Sequence, residues 1–196
     1  MVKLSGVLFE ETPVATDNVD ARAELLLLSP SILVPCLNHG EARVWDTLAI
    51  GEYLNEIAPK AHLLPTNAVH RAHCRSICGE MHSGFSALRA SLPMNIKAKF
   101  SKFKVWSKAQ LDIDRVLFIW NVCLSTYKGP FLFGKKPTLA DCMFAPVVTR
   151  FVTYGIALDP LCETYCKTIL SMPEMKEWMA AATAEPDDIE ELEVEF

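Results

Sequence analysis

The stretch from Ser29 to Leu54, SPSILVPCLNHGEARVWDTLAIGEYL, limits the folds open to this chain more than any other part of it. A Val34-Pro35 step leads into a short apolar segment, and Asn38-His39-Gly40 supply turn signals. A second short segment follows and ends at Trp45, so the pattern predicts strand, turn, strand. Beyond it, Ile50, Tyr53, Leu54 and Ile57 fall at i, i+3, i+4, i+7, which predicts a helix with one buried face. Asp46 and Thr47 stand where that helix leaves its first N–H groups unpaired, and both side chains can accept hydrogen bonds there. The same helix start, at the positive end of the dipole, is a ready seat for a carboxylate.

On these residues the stretch resembles the glutathione-binding half of the glutathione transferases. The resemblance rests on Val34-Pro35 as a cis-proline loop and on Asp46-Thr47 in place of the usual Glu-Ser or Asp-Ser pair. It implies a thioredoxin-like domain that holds glutathione through Val34, Pro35, Asp46 and Thr47. A cis bond at Pro35, cheap only at an X-Pro step, would turn the N–H and C=O of Val34 outward toward the cysteinyl backbone of the tripeptide. The γ-glutamyl carboxylate would rest on the Thr47 hydroxyl and backbone N–H, with Asp46 near its ammonium group. The bland alternative is an ordinary strand-turn-strand-helix with a capped helix.

The chain has 196 residues, enough for one large domain or two small ones. Half of it is apolar and it carries no low-complexity tract. Seven of its 24 acidic residues lie between Glu185 and Phe196, leaving 17 against 19 basic ones elsewhere. A nearly neutral body gives no reason to expect nucleic acid. Seven cysteines without a C-x-x-C pair suit free thiols in a reducing cytoplasm. MVKLSGVLFEET does not read as a secretory leader, and no apolar run reaches the roughly 18 residues of a membrane span.

Taken in order, Gly6 reads as a C-cap after the short Val2–Ser5 segment, Val7 to Val14 as a strand, and Val19 to Leu28 as a helix closed by Ser29-Pro30. In the resemblance, LSGVLFEE matches the end of the first helix and the entry to the second strand. A first strand and most of a first helix, together roughly twenty residues at ordinary element lengths, are then missing ahead of it. The turn after that strand carries the family's catalytic Ser, Tyr or Cys. Ser5 lies at the wrong end of its helix and Tyr53 on the buried face of another, so no catalytic residue is nominated. Two explanations compete: the sequence starts at an internal Met of a longer protein, or Val7–Val14 shifts into the vacant central slot. Truncation is the favoured one, because a new register turns core faces outward.

A proline-flanked linker, Ala58 to Thr66, separates the domain at 1–60 from an all-helical one at 66–184, with an acidic tail at 185–196. Helices are expected over Asn67–Ala90, Ala109–Tyr127, Thr138–Tyr154, Pro160–Leu170 and Pro173–Ala184, with Phe131–Pro137 irregular. Thr138-Leu139-Ala140-Asp141 is a capping-box signal before an apolar run, which gives Thr138 and Asp141 a folding role. This resembles the N-capping box of the family's second domain, and the likeness runs from Leu4 to Ala184. GEMHSGFSALRASLPMN, Gly79 to Asn95, resembles a run in bacterial members, where the helix lines the cleft facing glutathione. His82, Phe85 and Arg89 would share one face there and meet a negatively charged electrophile. Interhelix hydrogen bonding by His82 and Arg89 is the equal alternative.

Two other constellations read as packing. His70, Cys74, Cys78 and His82 recur every four residues, yet on one helix the ends lie about 18 Å apart, so no metal site is expected. Lys97, Lys99, Lys102, Lys104 and Lys108 alternate with Phe100, Phe103 and Trp106. Such a mixture can bind single-stranded nucleic acid, but the three-residue spacing reads as a helix with an aromatic core face and a solvated lysine side. Cys162 and Cys166 likewise have helical spacing. The resemblance therefore implies a truncated thioredoxin-like α/β domain followed by an all-α helical bundle. It implies glutathione as substrate, conjugated to a small hydrophobic electrophile held in the cleft, and pairing as a homodimer through the first long helix of the second domain. The rivals are a non-catalytic glutathione-binding protein and a glutathione-dependent isomerase or reductase.

Overall fold

The computed structural model describes residues 1–13, 33–101 and 103–185. The expected helix at Val19–Leu28 and the tail beyond Glu185 lie outside the described residues, as does Lys102. The chain forms two compact units, Met1–Leu63 and Leu64–Phe196.

The first unit opens with a single turn of helix, α1 (Val2–Ser5), closed by Gly6 in the left-handed region at φ 72°. Strands β1 (Cys36–His39) and β2 (Ala42–Trp45) pair antiparallel, with His39 opposite Ala42 and Cys36 opposite Trp45. The turn is therefore Gly40-Glu41, one residue later than the sequence signals suggest. Helix α2 (Thr47–Ile57) follows directly, and a 3₁₀ turn at Pro59–Ala61 ends the unit. Ile50, Leu54 and Leu63 form its core, with Leu37, Val44, Met1 and the α1 residues Val2 and Leu4 packed around them. The helical period in α2 thus selects Ile50 and Leu54, whereas Tyr53 is half-buried and Ile57 is exposed.

Residues 7–13 form no strand, which corrects the expectation for Val7–Val14 over its described part. A strand exists only against a partner. β1 is hydrogen-bonded to β2, and segment 7–13 does not take the place on its other side. The shift into a central slot is therefore excluded for these residues.

The second unit is helical: α3 (Ala68–Ser83), α4 (Ser86–Ser91), α5 (Ser107–Tyr127), α6 (Leu139–Thr153), α7 (Pro160–Ser171) and α8 (Pro173–Ala184). Asn67 caps α3 and Asp159 caps α7, each with its side-chain oxygen on two backbone N–H groups. Pro160 and Pro173 open α7 and α8, where the missing N–H costs nothing. Trp120 of α5 is fully buried, with its ring 5.0 to 6.0 Å from those of Phe144, Phe151 and Tyr165. Among the described residues no helix is long and apolar enough to cross a membrane.

The single helix expected over Asn67–Ala90 is two helices. Gly84 is extended and Phe85 left-handed at φ 59°, so the chain turns between α3 and α4. A side chain at position 84 would put its Cβ 2.6 Å from the Glu80 carbonyl oxygen, a contact only glycine avoids. Arg89 compensates for the break, because its guanidinium donates to the Met81 and His82 carbonyls at the end of α3.

The helix expected for the lysine-aromatic run is also absent over its described residues: 96–101 and 103–106 are irregular. Asn95 draws the chain into a turn by accepting from the Lys97 and Ala98 N–H groups. Phe100 then stacks on Tyr154 at 5.0 Å, and Phe103 meets the same ring edge-on at 4.7 Å. Two of the three aromatics are packing residues as expected, but Trp106 is 73% exposed.

Candidate functional site

In the first unit a cavity of about 630 Å³ lies between segment 7–12 and β1, with Ile50 and Leu54 of α2 beneath it. Val34, Pro35 and Thr47 all line it. The Val34-Pro35 peptide bond is cis, and the Val34 residue is 53% exposed. At the start of α2, Asp46 Oδ1 accepts from the Leu48 and Ala49 N–H groups at 2.9 and 3.1 Å. The intrahelical ladder begins one residue later, with the Ile50 N–H on the Asp46 carbonyl. That leaves the Thr47 N–H as the donor at the helix start that the cap does not use. Asp46 reaches its capping position through φ 79°, unusual for a residue with a side chain. Its first role is therefore to hold the helix start that presents Thr47.

Both hydroxyls considered and rejected on sequence grounds are hydrogen-bonded within the first unit. Ser5 Oγ donates to the Val2 carbonyl at 2.6 Å and accepts from the Val7 N–H. The Tyr53 hydroxyl lies 2.8 Å from His39 Nδ1, bracing β1 against α2. Cys36, which sequence reasoning did not single out, places a thiol in the cavity lining beside Pro35. Its signal was its position directly after the Val-Pro step.

In the second unit His82, Phe85 and Arg89 do not share a helix face, because the turn at Gly84-Phe85 falls between them. His82 is exposed in the last turn of α3, Phe85 is buried at the break, and Arg89 is exposed in α4. The interhelix role holds for Arg89, through the two carbonyls it caps. Arg150 of α6 is the residue that spacing could not supply. Its Nε donates to the Leu92 carbonyl at 2.8 Å, and burial, with the like charge of Arg89 adding to it, lowers its guanidinium pKa.

Thr138 and Asp141 form both halves of the capping box at the start of α6. Asp141 does more than cap. Its Oδ2 accepts from the Thr138 N–H at 2.7 Å and hydroxyl at 3.0 Å. Its Oδ1 accepts from the Leu132 N–H at 3.0 Å and the Tyr165 hydroxyl at 3.2 Å. One buried carboxylate thus ties α6 to the preceding loop and to α7. Burial raises its pKa, with these hydrogen bonds pulling the other way.

The four-residue stripe on α3 divides by environment. Cys74 and Cys78 are fully buried, while His70 stands edge-on to the Tyr127 ring at 4.7 Å. The Cys78 thiol is raised by its hydrogen bond to Cys74 and by burial, and burial pushes Cys123 and Cys166 up to about 12. Thiols held protonated this way are packing groups, not nucleophiles. Among the described residues no three His, Cys, Asp or Glu side chains lie together as a metal would need.

A sheet-and-helix unit that presents a helix N-terminus, followed by a helical unit whose α6 starts in a buried capping box, fits the class of two-domain proteins with a thioredoxin-like first domain. Residues 1–57 match the family description "Glutathione S-transferase, N-terminal domain", and residues 75–181 match "Glutathione S-transferase, C-terminal domain". The chain belongs to the glutathione S-transferase family. It is 26% identical over 157 residues to the "Probable maleylacetoacetate isomerase" of Caenorhabditis elegans, covering 80% of this chain and 73% of that one. It is 30% identical over 137 residues to "Glutathione S-transferase 1" of Dianthus caryophyllus, covering 69% and 62%. A glutathione transferase homolog from Burkholderia, solved with bound glutathione, superposes with a TM-score of 0.69 at 24% identity, over 92% of this chain and 86% of that one. The fold is thus the transferase fold, with a small two-stranded thioredoxin-like domain and a helical second domain.

Proposed function

We propose that this protein binds glutathione in the first-unit cavity and uses its sulfur on a small electrophile. The observation that carries this reading is the meeting of Val34, Pro35 and Thr47, from a loop and a helix start, in the lining of one cavity. An extended tripeptide needs a backbone edge for its middle and a positive dipole end for its carboxylate, and the two stand together there. Asp46, whose Oδ1 caps the helix beside Thr47, is assigned to the γ-glutamyl ammonium. Conjugation is the reaction proposed first, with glutathione as substrate and no metal required. His82, Phe85 and Arg89 remain the candidates for the electrophile, with Arg89 joined by Arg150. The reading places the protein in the cytoplasm, on the strength of seven free cysteines, and pairs it as a homodimer.

A second reading is favoured by one observation. Arg89 and Arg150 together suit a substrate with carboxylate groups, and a relative named as a maleylacetoacetate isomerase supports glutathione-dependent isomerisation of such a substrate. No side chain among the described residues is nominated to activate the sulfur. The test is titration calorimetry with glutathione on wild type and on a Thr47→Ala, Asp46→Asn double variant, in which Asn keeps the cap. Affinity should fall by about tenfold or more, the loss of one charge-assisted hydrogen-bond set. Unchanged affinity overturns the site.

A further inference from the structure

Helix α3 carries two thiols one turn apart, Cys74 and Cys78, and both are fully buried. The start of α6 packs on this stripe, and the Ala140 N–H in its first turn donates to the Cys74 sulfur. That N–H is one of the donors a helix start leaves without an intrahelical partner, at the positive end of the dipole. The Cys78 S–H donates to the same sulfur. The Thr138 hydroxyl lies within reach as well, although its proton goes to Asp141. Cys74 is therefore the acceptor of a thiol pair, and Cys78 its donor.

This asymmetry sets Cys74 apart from the other buried thiols. Its pKa is held below the ordinary value, chiefly by Cys78 and then by Ala140, against burial and the charge of Asp141. Cys123 and Cys162 are equally buried, and burial raises both. Packing alone requires neither donor, because a small thiol fills space equally well among hydrocarbon. The two residues also lie within bridging reach of each other. Positions four apart on a helix have Cα atoms about 6 Å apart, inside the range of roughly 4.4–6.8 Å that a disulfide spans.

We propose that Cys74 is a peroxide-oxidised thiol with Cys78 as its resolving partner, so that α3 carries a reversible dithiol–disulfide pair. In the first step the Cys74 sulfur attacks one oxygen of hydrogen peroxide and the O–O bond breaks. The other oxygen leaves with the Cys74 proton as water, and Cys74 becomes a sulfenic acid. In the second step the Cys78 sulfur attacks the sulfenic sulfur, and the departing hydroxyl takes the Cys78 proton as water. The two thiols lose two electrons and one peroxide is reduced to two waters. Cys78, protonated until then, acts only once Cys74 has become the electrophile. Peroxide reaches the pair through transient opening of the α3–α6 contact. Every buried thiol needs such an opening, so the telling comparison is between thiols of equal burial.

The folded whole chain is treated with hydrogen peroxide for increasing times, unfolded in the presence of N-ethylmaleimide and digested with trypsin. Cleavage after Arg71, Arg75 and Arg89 puts the two thiols on separate peptides, 72–75 and 76–89, so the bridge is read by mass as a linked pair. The linked pair should form at least about fivefold faster than Cys123 or Cys162 is oxidised, and a reductant should release it. Cys78→Ser keeps a donor and cannot bridge, so its Cys74 should be trapped by dimedone as the sulfenic acid. Cys78→Ala has no donor, and its Cys74 should react at least about threefold more slowly than in Cys78→Ser. The wild-type measurement stands by itself if a variant does not fold. Cys74 oxidised no faster than Cys123 and Cys162, or a bridge from Cys74 to Cys123 or Cys142 instead, overturns the proposal. Equal rates in Cys78→Ser and Cys78→Ala overturn the part given to Cys78 as donor.

Discussion

Replacing Asp141 by Ala removes an acceptor on which four donors converge. The Leu132 and Thr138 N–H groups and the Thr138 and Tyr165 hydroxyls all point at its two oxygens, and the residue is 1% exposed. A buried donor deprived of its acceptor costs about 1–3 kcal/mol, and the two backbone donors have no rotatable bond with which to find another. The hydroxyls can turn away, so the sum is about 3–5 kcal/mol. For a chain of this size each kcal/mol lowers the melting temperature by roughly 2–4 °C, so the variant should melt on the order of 10 °C below wild type. Asp141→Asn keeps one oxygen but turns an N–H₂ toward two donors, and should lie about midway. The pH dependence gives a sign. Burial raises the Asp141 pKa, so between about pH 3.9, the unfolded value, and its folded value the folded state binds more protons than the unfolded one. The advantage of wild type over Asp141→Asn is therefore largest at or below the unfolded value and narrows as pH rises through that window. Differential scanning calorimetry at several pH values measures both effects. An Asp141→Ala variant that melts within 2 °C of wild type, or a wild-type advantage that widens as pH rises through that window, refutes the reasoning.

Gly129 faces the Gly134 backbone so closely that an added Cβ would collide with the Gly134 carbonyl, which is already bonded to the Phe131 N–H at 3.1 Å. Gly129→Ala should cost about 2 kcal/mol or more and lower the urea midpoint with an unchanged slope. Asp159 caps α7 with one oxygen and accepts from Asn121 Nδ2 at 2.7 Å with the other, and its pKa is held down to about 2, chiefly by the Asn121 bond. It therefore stabilises the fold above about pH 4, and that contribution is lost as pH falls toward about 2. Asn121→Ala should move the Asp159 carboxyl titration, followed by NMR, upward toward the ordinary value of about 3.9. A titration midpoint that stays put removes Asn121 as the cause.

Much of the first unit was legible because its signals are local. The Val34-Pro35 step, the turn residues and the Asp46 cap each act within a few residues of themselves, and the hairpin and α2 start follow from them. The same holds for the capping box at Thr138 and Asp141 and for the prolines that open α7 and α8. The errors share a cause. The α3–α4 break depends on Phe85 taking a left-handed conformation and on Arg89 reaching back to two carbonyls, a bargain struck over eight residues that periodicity does not see. The run of Phe100 and Phe103 kept its packing role but not its helix, since Tyr154, some fifty residues on, sets where those rings go. Arg150 carried no sequence signal at all.

From its residues alone this chain was committed to an α/β beginning, a helical remainder, and the positions at which most helices start, because period, cap and turn chemistry act over short distances. Only the tertiary structure decided which groups meet: Arg89 with the Met81 and His82 carbonyls, Asp141 with Leu132 and Tyr165, and Val34 with Thr47 around one cavity. It also decided that segment 7–13 is no strand. Hydrogen bonds in a sheet join residues far apart in the chain, so no stretch can become a strand by its own composition without a neighbour to receive it.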